Sequence, residues 1–253
     1  AQLAEVVRKS LRRETFELKD WRISQLGGGA GNPVSAGLYR VEGVGTDRGE
    51  AVSWSVVLKI IQSPANVGWT DMGEGDDPAH WNYWKRELFV YASDLLQALP
   101  QGMAAPRCFG MQELPGNTAW LWLEDIRDAL KGVWSLERYA LTARHLGRLN
   151  GLYAAARPIP GYPWLGAHLV KQWLHVDQPD WQSMPWEDPR VLARYPRGNA
   201  FHRMLLESEQ FIARLNLLPR TLCHGDTYPT NFMSRSLADG QEVTVALDWA
   251  LVN

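Results

Sequence analysis

The sequence predicts an α+β fold in two parts: a small antiparallel sheet with one packed helix over residues 1–126, and a mainly helical part over residues 127–253. Three observations lead there. Short apolar runs punctuated by Gly, Pro and Asn fill the first part, the pattern of strands joined by turns. From Ser135 onward apolar residues recur at three- and four-residue spacing, the pattern of amphipathic helices. Finally, 253 residues with 45% hydrophobic and 21% charged content supply a core large enough for both.

Taken in order, Leu3, Val6, Val7 and Leu11 predict a short helix over 2–13. Trp21 to Leu26 alternates like a strand and enters Gly27-Gly28-Gly29-Ala30-Gly31-Asn32-Pro33, with a second strand at Leu38–Val41. This loop is neither a dinucleotide fingerprint nor a Walker A loop, because a strand follows it and no Gly-Lys-Ser/Thr is present. A glycine-rich hairpin lets main-chain N–H groups approach phosphates; a merely flexible hairpin reads the same way. The third strand, Val52–Ile61, is apolar except at Lys59, whose ammonium must reach solvent or find an anion. Gln62–Pro78 reads as a polar, acidic insertion with Asp71, Glu74, Asp76 and Asp77. A helix is expected over about 79–99, striped by Trp81, Trp84, Leu88, Tyr91, Leu95 and Leu99. Glu87 lies one turn from Trp84 and Tyr91, so it either faces the sheet, within reach of Lys59, or is a solvated helix acid. Strands at 106–111 and 118–126 complete the first part.

In the second part Ser135 is a plausible N-cap for a helix carrying Tyr139, Leu146, Leu149 and Tyr153, with His145 in a packing role. Residues 157–199 gather Trp164, Trp173, Trp181 and Trp186 with Asp177, Asp180, Glu187 and Asp188; His168 and His175 complete no metal site. Aromatic faces beside carboxylates suit a cationic ligand, and equally a Trp-filled core with solvated acids. A helix with Phe201, Met204, Leu205, Phe211, Ile212 and Leu215 then leads through Pro219 to Leu222-Cys223-His224-Gly225-Asp226. Asn231 follows closely, and Asp248 stands at the end of the apolar run Val245-Ala246-Leu247. Two acids and an amide brought in by a loop and a strand end suit phosphoryl chemistry. One carboxylate orients a hydroxyl, while an amide oxygen and a second carboxylate hold Mg²⁺ against a polyphosphate.

Composition narrows the setting. A net charge of −2 argues against a nucleic-acid partner. No run of eighteen apolar residues points to a membrane span, and the N-terminus lacks a signal-peptide layout. Cys108 and Cys223, expected as two buried thiols, fit a reducing, cytoplasmic setting better than a disulfide scaffold. Ala1 stands where an initiator methionine would, so a few residues are expected to have been removed. Nothing in the sequence fixes an oligomeric state.

His-x-Asp-x-x-x-x-Asn at 224–231 followed by Asp248-Trp249 resembles the paired motifs of the aminoglycoside phosphotransferase and choline kinase-like family, small-molecule kinases with a two-lobed protein-kinase-like fold. The resemblance implies Asp226 as catalytic base, Asn231 and Asp248 as Mg²⁺ ligands, and His224 as support for the loop. It implies that Lys59 binds the nucleotide phosphates, with Glu87 as its partner, and that Gly28, Gly29 and Gly31 belong to a phosphate loop. Leu123-Glu124-Asp125-Ile126 is similar to the family's hinge, so Glu124 and Ile126 are named for main-chain contacts to a base. The implied cofactors are ATP (or GTP) and Mg²⁺, with a hydroxyl-bearing small molecule as acceptor: an aminoglycoside, choline, homoserine or a sugar. A nucleotide-binding pseudokinase is the reading from another class. The sequence stops at Asn253, so the second lobe is expected to lack the family's usual C-terminal helices.

Overall fold

The computed structural model describes residues 2–27, 32–68, 76–128, 133–166, 169–174 and 183–253. The helix α1 (Gln2–Leu11) precedes three long strands, β1 (Glu17–Gln25), β2 (Ser35–Asp47) and β3 (Glu50–Gln62). A short helix α2 (Arg86–Ala92) follows, then β4 (Met103–Ala104), β5 (Cys108–Leu114) and β6 (Thr118–Glu124). The remainder carries α3 (Leu136–Ala155), α4 (Leu169–Leu174), α5 (Pro189–Arg194), α6 (Gly198–Leu206) and α7 (Ser208–Leu215), closing with the hairpin β7 (Phe232–Ser236) and β8 (Glu242–Ala246). It is a mixed α/β molecule, and no described helix is long and apolar enough to cross a membrane.

Five strands form one antiparallel sheet in the order β1-β2-β3-β6-β5. Because side chains alternate across a strand, β3 presents Trp54, Val56 and Leu58 to one face and Val57, Lys59 and Ile61 to the other. The first set packs with Val41, Phe16 and the Val6 and Val7 of α1. The second packs with Leu121, Leu123, Trp84 and the Leu88 of α2. The sheet therefore carries two helices where one was expected: β3 is apolar on both faces, and each face needs a cover.

A third core joins Val90 of α2 and Leu95 to Leu149 and Tyr153 of α3, Trp164, Leu222, Phe232 and Trp249. Beside it lies a second sheet, β4-β8-β7, that sequence periodicity does not reveal. Its strand β4 is two residues long and runs parallel to β8.

Two expected helices are corrected. The helix expected over 79–99 is turns up to Lys85, then α2, then a 3₁₀ turn at Leu95–Ala98. Arg86 draws the carbonyls of His80 and Trp81 onto its guanidinium, which removes acceptors an upstream helix needs. Downstream, the Ser93 hydroxyl donates to Val90 O and accepts from Leu95 N, a local bond that competes with helix. The helix expected through Phe201–Leu215 is two helices, α6 and α7, parted at Glu207. Strands also run longer than their apolar stretches, β1 from Glu17 and β2 to Asp47, because ladder pairing continues past the apolar residues.

Among the tryptophans of 157–199, Trp164 and Trp186 are buried, as a core demands. Gly28, Gly29, Gly31, Asp71, Glu74, His168, His175, Asp177, Asp180 and Trp181 lie outside the described residues. Cys108 and Cys223 are free thiols, half-buried rather than the buried pair expected.

Candidate active site

Lys59 stands on the α2 face of β3, across from Leu121 of β6 and Leu38 of β2. Its Nζ lies 2.5 Å from Glu87 Oε2 and 2.8 Å from Asp248 Oδ1. Glu87, in the first turn of α2, is 1% exposed. The Lys59 ammonium and the Trp249 main-chain N–H both favour its charged form, and attraction between opposite charges helps to hold the pair. Burial works to lower the Lys59 pKa, yet the carboxylates of Asp248 and Glu87 outweigh it and hold the ammonium above its ordinary range. Burial raises the Glu87 pKa against the pull of Lys59. At Asp248 burial also pushes upward, but the Lys59 ammonium prevails and the carboxyl is lowered.

Asp248 directs its carboxylate into the cleft from a left-handed backbone, φ 55° and ψ 71°, which is uncommon for a residue with a Cβ and collects at functional sites. The strand end is stitched to the preceding loop through Leu247. Its N–H donates to Asn231 O at 2.8 Å, and its carbonyl accepts from His224 Nε2 at 2.8 Å. The Asp226 N–H donates to His224 Nδ1 at 3.3 Å. These two bonds specify a neutral ring with the proton on Nε2. Burial favours that state by lowering the pKa. The ring sits between Phe232 and Trp249, with centroids at 5.1 and 4.7 Å. His224 is thus a support, as the motif implies.

Gly225 is required by both conformation and space. Its φ is 85°, and a Cβ there would lie 1.9 Å from Leu251 O. Beyond it, Asn231 Nδ2 donates to Asp226 Oδ2 at 2.8 Å and to Asp226 O at 3.3 Å. The amide is thereby oriented nitrogen toward Asp226, and its Oδ1 accepts nothing among the described residues. Asp226 Oδ1 is likewise without a donor there.

A cleft of about 430 Å³ runs past these groups. Lys59, Glu87, Asn231 and Asp248 line one end, and Glu124, Asp125 and Ile126 the other, with Leu38, Val57, Leu123 and Leu247 as apolar walls. Gly27, directly before the glycine loop, also lines it. Asp226 stands half-buried beside Asn231, off the cleft lining. The Glu124 carboxylate turns to Arg235 at 2.9 Å and Arg107 at 3.4 Å, while the Ile126 N–H finds no acceptor among the described residues.

The donor set fits Mg²⁺. Asn231 Oδ1 and the Asp248 carboxylate are hard oxygen ligands, with the rest of the coordination shell left to phosphate and water. No group of three His, Cys, Asp or Glu side chains with metal-binding geometry exists among the described residues, so the site is not an all-protein metal cage.

Sequence reasoning missed Arg40, Ser55, Asp125 and Arg86. Arg40 and Asp125 meet in the cleft over 85 positions of chain, and Arg86 stands beside Glu87. The one available signal was a charged residue at an inward position of β2.

No family model matches the chain, and no curated protein sequence matches it. Among solved structures it is similar to a thermostable mutant of an aminoglycoside phosphotransferase in its apo form, 14% identical, with a TM-score of 0.43 over 91% of this chain and 67% of that one. It is also similar to a Haemophilus somnus 129PT protein described as a fructosamine-3-kinase, 12% identical, with a TM-score of 0.40 over 98% of this chain and 73% of that one. At such TM-scores neither likeness bears on what the site does; its own distances do.

Proposed function

We propose that the chain is a small-molecule kinase, transferring the γ-phosphoryl of ATP or GTP to a hydroxyl of an aminoglycoside-like or other small acceptor. The observation that carries this reading is the convergence of Lys59, Glu87 and Asp248 from three separate elements beside an Asn231 whose oxygen accepts nothing among the described residues. Residues 1–126 and 127–253 are read as two lobes, with 124–126 as the hinge.

In this reading Lys59, held by Glu87, meets the phosphate oxygens. Asn231 Oδ1 and Asp248 would hold Mg²⁺, which would supply charge neutralisation at the phosphates. Asp226, tethered through Oδ2 by Asn231, keeps Oδ1 for the acceptor hydroxyl and orients or takes its proton. Phosphoryl transfer demands little covalent participation, so positioning and charge neutralisation account for the rate. The glycine loop and the main chain of Glu124 and Ile126 hold the nucleotide's two ends.

The test is nucleotide turnover with a panel of aminoglycosides, macrolides, choline and amino alcohols. Against the acceptor that responds, Asp226→Ala should lower kcat by about 10² to 10⁴-fold, while nucleotide affinity changes little. Near-wild-type transfer by that variant would remove Asp226 from the chemistry.

A further inference from the structure

At the end of the cleft away from Lys59, Arg40 is fixed in place. It lies across from Val57 in the β2–β3 register, as Leu38 lies across from Lys59. Arg40 therefore shares the face of Lys59 and stands two residues, roughly 7 Å, further along the sheet. Its Nε and Nη2 donate to the two oxygens of Asp125 at 2.9 and 3.0 Å, a bidentate pair. Asp125 is 3% exposed at its side chain; it also accepts from Ser55 Oγ at 2.9 Å and meets Arg127 Nη2 at 2.9 Å. Arg127 extends the network to Glu42, which Arg22 closes from β1. Arg40 Nη1 has no acceptor among the described residues, and Arg40 lines the cleft.

We infer that Arg40 is a nucleoside-positioning residue, held by Asp125 at the base end of the cleft so that Nη1 donates to acceptor atoms of the nucleoside. The inference rests on the kinase reading. Guanidinium is a donor only, so its counterparts are ribose hydroxyl oxygens or ring acceptors. The apolar walls Leu38, Val57 and Leu123 around it suit a flat ring. Because Asp125 holds the side chain, little rotamer freedom remains to be lost on binding.

Calorimetric titration separates the two ends of the cleft, using Mg·ATP, Mg·GTP, the free nucleosides and Mg·tripolyphosphate as probes. Arg40→Met should weaken nucleotide and nucleoside about tenfold, and leave tripolyphosphate within about twofold, a selectivity that general loosening of the fold would not give. Lys59→Met should do the reverse. In turnover, Arg40→Met should raise the nucleotide KM with kcat nearly kept. The isosteric Asp125→Asn should shift binding the same way, and the double variant should be no worse than Arg40→Met alone. Nucleotide binding unchanged in Arg40→Met, or an equal loss for tripolyphosphate, overturns the inference and leaves the kinase reading standing. Wild-type protein that binds neither nucleotide nor Mg·tripolyphosphate overturns both.

Discussion

Arg86 is a fully buried cation that makes no ion pair among the described residues. Its Nε donates to Trp164 O at 2.8 Å, Nη1 to Trp81 O at 2.6 Å and Ala250 O at 3.0 Å, and Nη2 to His80 O at 2.5 Å. Desolvation pulls its pKa down to about 10, so it stays charged at neutral pH. Burying a guanidinium is costly, and here carbonyl dipoles from three separate segments offset that cost. One of those segments follows Asp248 directly, and the next residue along α2 is Glu87, so Arg86 joins the two acids that hold Lys59. Arg86→Met keeps most of the volume but leaves the carbonyls of Trp81, Trp164 and Ala250 unpaired among the described residues, while His80 O keeps the Tyr83 N–H. It should cost about 3 kcal/mol or more in chemical denaturation, with Arg86→Lys recovering only part, since a lysine cannot reach the same fork of acceptors. A loss below about 1 kcal/mol would show that those carbonyls are satisfied without it.

For the elements, the contrast between β8 with its neighbouring loop and α2 explains what could be read in advance. His224, Asp226, Asn231 and Asp248 were legible because local turn chemistry and a strand end set their spacing, and that chemistry is written in adjacent residues. Lys59 was legible as the one charge in an apolar strand. The extent of α2 was not. The stripe from Trp81 to Leu99 satisfies a helical period, but a tertiary bond from Arg86 takes the carbonyls of the would-be first turns. The strand β4 was illegible for a different reason: two residues have no periodicity, and the pairing with β8 is set by chain far downstream. Gly225 tests the legible part. Gly225→Ala must place a methyl against Leu251 O in a left-handed conformation, so it should cost at least about 2 kcal/mol. It should also abolish turnover by displacing Asp226. A variant as stable and active as the parent would mean that the loop reaches Asp226 by another path.

At the scale of the whole molecule, two of the three cores meet at α2, which gives Leu88 to one and Val90 to the other, and two histidines are buried in the second part of the chain. His145 of α3 bonds to Thr244 of β8 at 2.9 Å, and His224 joins the loop to the end of β8. Burial lowers both pKa values from the ordinary 6.5, with Arg148 and Arg144 adding to the effect at His145. The unfolded chain therefore binds protons at these positions more readily than the folded one. Stability from each is fully present above pH 6.5 and is lost as pH falls through the lower folded value, by up to about 1.4 kcal/mol per pH unit. Glu87 acts in the opposite direction: its raised pKa makes the folded state the better proton binder above the ordinary 4.5. Burial lowers the His80 pKa as well, so three histidines oppose one glutamate and stability falls on acidification below pH 6.5. Thermal denaturation between pH 7.5 and 5 should show Tm level at the upper end and falling below about pH 6.5. His145→Gln, which removes one titrating ring away from the proposed site, should flatten the fall even if it lowers Tm throughout. A Tm that rises on acidification would mean that Glu87, rather than the histidines, dominates proton uptake.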